Sequence, residues 1–231
     1  MAIAFDTVSN GNASATTSIT WSHTATGSNL VVYVAAIIST GDGIDPSSSA
    51  TYGGEAMAKL DSVGLASSEV LVLFRKAGPL TGAQTVLVSW TGSFSAKGGS
   101  ASYTGVDQTT PEGTPVKDST NAATTATIDV SSAADKLVVD FLANRNATDA
   151  EDFVAGGGQT ERLESDHSSA NFLHMMISEE TGAATTTMSW SWTTSSRRYQ
   201  IGISVNPSDA IGDPYLGMRS VIGAPMFGGV G

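Results

Sequence analysis

The same order of short segments occurs twice along this chain. In both halves a Leu-Val-Val segment, which begins at Leu30 and at Leu137, precedes a Gly-rich turn, an apolar segment and a Thr-Gly-Ala link. A Ser-Trp pair then follows, with its tryptophan at Trp90 in the first half and at Trp192 in the second. The period is too long for a solenoid repeat, so the pattern predicts two related units rather than an array.

Nearly every apolar segment has the length and composition of a β-strand. Ile19–His23 alternates between apolar and polar residues, which is typical of a strand with one buried face. Leu30–Ile38 is continuously apolar and rich in β-branched residues, which predicts a strand buried on both faces. Glycine clusters separate the segments, and none shows a helical stripe with caps. The sequence therefore predicts an all-β, antiparallel, jelly-roll-type sandwich.

The predicted organisation is one sandwich over residues 1–207, built from pseudo-repeats at about residues 14–107 and 124–207. A unit of five strands that is this rich in Ser and Gly would have little core alone, which favours one sandwich over two small ones. The polar link over residues 107–125 joins the halves. Residues 208–231 follow as a C-terminal arm without a strand or helix period.

The arm is unusual for a chain terminus because glycines interrupt a series of large apolar residues. Left in water, each would lose about 1.5–3 kcal/mol relative to burial. We therefore expect the arm to dock on its own sandwich or on a neighbouring subunit. The predicted interaction residues are Tyr215, Leu216, Met218, Val221, Ile222, Met226 and Phe227.

Composition excludes several classes of protein. The chain has no cysteine, which excludes disulfides, thiolate zinc sites, iron–sulfur clusters and a thiol nucleophile. Its formal net charge of −11, from 11 basic and 22 acidic residues, argues against a nucleic-acid partner. The sequence shows no export signal and no apolar stretch long enough for a membrane helix, so we expect synthesis in a cytoplasm and no membrane partner.

Several motifs are similar to those of a known family. Tyr52–Met57, Tyr103–Pro111 and the closing Tyr199–Val205 resemble jelly-roll-like β-sandwich domains of bacteriophage virion proteins, which include decoration, head-fibre and tail-associated proteins, and of bacterial surface proteins. The resemblance covers about residues 14–207 and lies in strand and turn signatures. It implies a structural virion protein, a capsid decoration or cement subunit that binds the shell and sister subunits. It implies no shared catalytic set.

Candidate catalytic and metal residues are few, and the sequence predicts no catalytic site, cofactor or bound metal. In Asp166-His167-Ser168 and in Glu179-Glu180, adjacent side chains on a strand or turn point apart and do not converge as catalysis requires. The three histidines lack zinc-site spacing. The acidic loops Asp42–Asp45 and Asp149–Asp152 leave calcium as an open alternative. We therefore expect a protein that is not an enzyme.

The aromatic residues carry the alternative function, a carbohydrate- or receptor-binding module of a phage fibre or bacterial surface protein. Trp190 and Trp192 lie two positions apart, so both face one side of their strand. Facing outward they would form a glycan platform, and facing inward they would be core, as we expect for them and for Trp21 and Trp90. The basic pair Arg197-Arg198 is too small for a phosphate patch. The predicted partners are a capsid protein, sister subunits and, in the alternative, a glycan.

Overall fold

A computed structural model describes residues 2–146, 152–167 and 172–208. Within these ranges every regular element is a β-strand, and all strand pairs are antiparallel. A search of the same ranges finds no helix of the length and hydropathy that crossing a membrane requires. The predicted all-β, antiparallel class is confirmed. The apolar residues of the C-terminal arm lie outside the described residues.

Each half of the chain forms its own sheet. The first half supplies β1 (Ala4–Ala25), β2 (Val31–Ile38), β3 (Ser49–Tyr52), β4 (Glu55–Ala56), β5 (Ala58–Gly64), β6 (Val70–Ala77) and β7 (Gly82–Thr104). The second half supplies β8 (Val116–Ser131), β9 (Leu137–Arg145), β10 (Val154–Ala155), β11 (Thr160–His167), β12 (Leu173–Thr181) and β13 (Thr185–Val205). The first sheet has the order β4-β3-β7-β2-β6-β5, with β1 on β7, and the second has the order β10-β13-β9-β12-β11, with β8 on β13.

The two sheets share the order of four strands, β7-β2-β6-β5 in the first and β13-β9-β12-β11 in the second, and they also share register shifts. β1 and β7 lose register twice around the pair Thr16–Phe94, and β8 and β13 lose register twice around the pair Ser196–Ala123. The hairpins β5–β6 and β11–β12 each have one register shift, after Lys59 in the first half and after Glu161 in the second. Matching register shifts place matching bends at the same point of each sheet.

β2 is buried on both faces because it belongs to two cores. Val32, Val34 and their alternate neighbours face residues of β1, β3 and the first part of β7, so the first sheet curls back over its own outer face. Tyr33 and Ala35 face the other way, onto the second sheet. The continuous apolar segment therefore has the burial that its composition predicts.

The strand lengths differ from the sequence prediction at the bends. Two short segments that a polar, Gly-containing stretch separates in the sequence, Thr85–Trp90 and Ser100–Thr104, are both parts of β7, which runs through the bend at Gly92. Gly92 has a φ of +100°, a conformation that residues with a Cβ rarely adopt. The link over residues 107–125 also already contains the first part of β8 from Val116.

Side chains close the two seams where the sheets meet edge to edge. At the seam between β5 and β8, the Nζ of Lys117 lies 2.8 Å from the carbonyl oxygen of Ser62. At the seam between β1 and β11, Ser165 donates to the side-chain oxygen of Asn10 at 3.0 Å. The described parts of the halves thus form one body around a shared apolar layer.

Candidate functional site

The four tryptophans are core residues. Trp21, Trp90, Trp190 and Trp192 are each less than a tenth exposed. Trp190 and Trp192 pack with Leu142, Met176 and other buried residues of the second sheet. The glycan platform that an outward-facing pair would form is therefore excluded, and any glycan site of this chain must lie elsewhere.

Of the Asp-His-Ser motif, the structure describes Asp166 and His167, which lie at the end of β11. His167, at the end of β11, turns toward β1, where its Nε2 lies 3.1 Å from Ser14 Oγ and its Nδ1 lies 3.3 Å from Asn12 Nδ2. Ser168 lies outside the described residues. His167 therefore contributes to the seam between the two halves.

The acidic candidates have structural partners where they are described. Glu179 is buried and bound to Arg162, while Glu180 follows it on β12. In the loop before β3, Asp42 accepts from the backbone N–H of Ile44 and Asp45 accepts from that of Ser48.

Among the described residues, no group of three or more His, Asp or Glu side chains could hold a metal ion. Asp149, Glu151 and the rest of segment 147–151 lie outside those residues.

A buried histidine lies inside the first half. His23 Nδ1 is 2.8 Å from Ser9 Oγ and 2.9 Å from Ser100 Oγ, and Trp21 Nε1 donates to the same Ser100 oxygen at 2.9 Å. Burial lowers the pKa of His23 to about 4, although the nearby carboxylate of Asp6 opposes this shift. The imidazole is thus neutral at pH 7 and serves the core.

We expect this histidine to make the protein acid-sensitive. Between pH 6.5 and about 4 the unfolded chain binds a proton at His23 that the native state excludes, so the free energy of unfolding falls as pH falls through that window. The loss approaches about 3 kcal/mol below pH 4. Urea unfolding of the wild type and of His23→Asn from pH 7 to pH 4 measures it, and an unchanged difference between the two proteins across the window would contradict it.

An open depression of about 360 Å³ lies where β13 bends away from β9. Asn121, Arg145–Asn146 and Thr194–Arg197 line it, and we call it the arginine pocket. Arg145 ends β9, and Arg197 lies opposite it in the register of β13. Like charges directly opposite each other on neighbouring strands repel, so this pair needs a counter-charge.

Glu69 supplies the counter-charge from the first half of the chain. Its side chain is almost completely buried, and its carboxylate lies 2.9 Å from Arg145 Nη1 and 3.6 Å from Arg197 Nη1. Tyr199 donates to the same carboxylate at 2.9 Å. Burial and the neighbouring carboxylate raise the pKa of Tyr199 to about 12, so the hydroxyl keeps its proton and remains a donor. The pocket is thus anchored across the interface between the halves.

The matching bend of the first sheet carries different residues. The pair that corresponds to Arg145 and Arg197 in register is Ser39 and Ser95, and the backbone N–H of Ser39 donates to the carbonyl oxygen of Ser95 at 2.9 Å. Phe94 occupies the position between the two register shifts and packs against the apolar core of that half. The arginine pair of the second bend therefore has no counterpart at these positions of the first bend.

The sequence alone indicates that the basic pair Arg197-Arg198 is too small for a phosphate patch. Arg197 lines the pocket, whereas Arg198 points to the other face of the sheet and binds Asp118 at 2.6 Å. The second arginine of the pocket, Arg145, comes from a distant strand end. One feature of the sequence does indicate the site: residues 94–96 of the first half read Phe-Ser-Ala, whereas the corresponding residues 196–198 of the second half read Ser-Arg-Arg.

Comparisons of the chain with protein-family models, with curated proteins and with solved structures find no match. The function is therefore inferred from the geometry of the described residues.

Proposed function

We propose that the protein is a structural subunit of a virion, a capsid decoration or cement protein that binds the shell and its sister subunits. The observation that carries this proposal is an open edge of the first sheet. β1 runs over 22 residues and pairs with β7, and no other described strand pairs with its outer edge. An unpaired edge presents backbone donors and acceptors that another chain can extend by strand addition.

The edge lacks the residues that usually protect such strands. β1 contains no Lys, Arg or Pro, which are among the devices that prevent pairing between chains. Its first part is covered at the seam with β11, whereas Ser18–Ala25 pairs only with β7 among the described strands. This segment alternates exposed residues with buried ones, so a docked strand would extend a sheet whose inner face is already packed.

The C-terminal arm supplies the second element of the proposal. In the sequence the arm carries seven large apolar residues, each of which would lose about 1.5–3 kcal/mol in water relative to burial, so they favour contact with the shell or a neighbour. The body would provide a rigid surface while the arm binds the shell or a neighbour. Repetition of such contacts in a symmetric oligomer would multiply weak individual affinities by avidity.

We also propose that the body is a jelly-roll-type sandwich of two pseudo-repeated halves. A shared order of four strands, the matching pairs of β1 with β7 and of β8 with β13, and matching register shifts support the repeat. The contacts between the halves support it as well, because β7 contacts β12 as β6 contacts β13, and β1 contacts β11 as β5 contacts β8. The jelly-roll type of the sandwich stays a prediction.

Removal of residues 213–231 tests the arm. We expect the truncated chain to keep its β-sheet circular dichroism and its unfolding midpoint but to lose co-sedimentation with capsids of the phage that encodes it. The apolar contacts that the deletion removes are worth about 1.5–3 kcal/mol for each buried side chain. Undiminished co-sedimentation of the truncated protein would contradict the role of the arm.

A proline in the open edge tests strand addition separately. Thr20→Pro on β1 removes one backbone donor, and Thr20 is an exposed position of the edge strand. Thr20→Glu is the matched variant that keeps the donor. We expect both to remain folded and the proline variant to bind capsids more weakly. Equal binding by both would exclude the edge as the docking surface.

A further inference from the structure

We propose that the arginine pocket binds a carboxylate-bearing saccharide of one or two sugar units. The proposal is independent of capsid binding, because the pocket lies on the bend of the second sheet and the open edge lies on the first. The proposed glycan site is thus the polar lining of the arginine pocket and not the tryptophans, which are buried.

The guanidinium of Arg197 is the anion-binding group. The Glu69 carboxylate is occupied by nearer donors, Arg145 at 2.9 Å and Tyr199 at 2.9 Å, whereas Arg197 approaches it only at 3.6 Å. That distance supports an ion pair but exceeds an ordinary hydrogen bond. The planar N–H fork of Arg197 is thus held in place while about a third of the side chain is exposed, and such a fork matches a carboxylate in two parallel hydrogen bonds.

The rest of the lining matches the hydroxyl groups of a sugar. Asn121 supplies an amide with both donors and an acceptor, and Ser195 adds a hydroxyl of either role. A simple phosphate or sulfate can use only the donors of these groups, because it has no hydrogen to give to their acceptors. A polyol that carries one carboxylate satisfies the arginine and the acceptors together.

Size and charge limit the ligand further. A volume of about 360 Å³ is at the lower end of the range for small-molecule sites and fits a ligand of one or two sugar units. The chain carries a net charge of −11, so long polyanions are repelled from its surface as a whole. A short saccharide with a single carboxylate gains the local attraction of the arginine without that penalty.

The experiment is an NMR titration of the ¹⁵N-labelled full chain with glucuronic acid and with N-acetylneuraminic acid. Glucose and inorganic sulfate are the comparison ligands. We expect saturable shifts of the Arg197 and Asn121 signals with at least one carboxylated sugar and at least tenfold weaker binding of glucose. Stronger binding of sulfate than of either acid would overturn the saccharide and leave a plain anion site.

Variants at Asn121, which is exposed, keep the test independent of folding. Asn121→Asp places a negative charge in the pocket, and Asn121→Ser is its neutral match. We expect the aspartate to weaken binding at least tenfold and the serine only a few-fold. Arg197→Gln should abolish saturable binding, whereas Lys76→Gln, which removes the same charge from a surface pair with Glu55, should leave it unchanged. Equal effects of Arg197→Gln and Lys76→Gln, or no binding of any acid to the wild type, would overturn the proposal.

Discussion

Replacing Asp140 by leucine is expected to lower the free energy of unfolding by about 3–5 kcal/mol. Asp140 lies on β9, is completely buried, and accepts hydrogen bonds from Ser178, Trp190 Nε1 and Gln200 Nε2. Burial raises the pKa of its carboxyl group, and the three donors oppose this shift. Leucine has a similar volume but removes the acceptor that these three donors share, and it leaves Gln200 Nε2 with its longer contact of 3.4 Å to the carbonyl oxygen of Met188. Urea unfolding at pH 7 measures the loss.

A partial rescue separates lost hydrogen bonds from altered packing. The double variant Asp140→Leu/Gln200→Leu removes one of the stranded donors, so we expect it to be more stable than the single Asp140→Leu variant. Ser178→Ala alone removes a donor and leaves the carboxylate its other two partners, which should cost about 1 kcal/mol. A double variant that is less stable than the single one would show that packing, rather than unpaired donors, dominates.

The matching position of the first sheet explains why this network could not be predicted. Val34 occupies the position in β2 that Asp140 occupies in β9. The cross-strand neighbour of Val34 on β6 is Phe74, whereas the cross-strand neighbour of Asp140 on β12 is Ser178. An aspartate within the segment Leu137–Leu142 resembles any polar position of a strand with one exposed face. Only the burial of β9 on both faces shows that its carboxylate must be satisfied internally.

The apolar pattern does predict the strands, because burial in a sheet leaves a direct period in the sequence. Val31–Ile38 is buried throughout as its composition indicates, and Ile19–His23 alternates in burial as predicted. The lengths of β7 and β13 could not be predicted in the same way. Polar and small residues at their bends, such as Thr91–Ser95, interrupt the apolar alternation while the backbone pairing resumes beyond them.

The arginine pocket shows where sequence reasoning reaches its limit. Neither Arg145 nor Arg197 belongs to a motif, and their positions coincide only through the register of β9 and β13. Glu69, whose carboxylate offsets the repulsion between the two arginines, comes from the other half of the chain. The difference between the halves marks the site, because Ser39 and Ser95 at the first bend correspond to Arg145 and Arg197 at the second.

The second large effect is expected at Glu69. Glu69→Leu should lower the free energy of unfolding by about 3–5 kcal/mol, because it leaves two register-paired arginines and the Tyr199 hydroxyl without their shared carboxylate. Glu69→Gln keeps the shape and an acceptor oxygen but removes the charge, so it should lose less. Thermal and urea unfolding at low ionic strength measure both.

The control and the salt dependence identify the cause of that loss. Glu55→Gln breaks the surface pair with Lys76, in which the Glu55 side chain is 47% exposed, and should cost at most about 1 kcal/mol. If repulsion between Arg145 and Arg197 causes the loss, added salt should recover part of the stability of Glu69→Gln, since salt screens partly exposed charges. If Glu69→Leu is as stable as Glu55→Gln, the arginine pair needs no buried counter-charge. Water would then solvate both guanidinium groups well enough to offset their mutual repulsion.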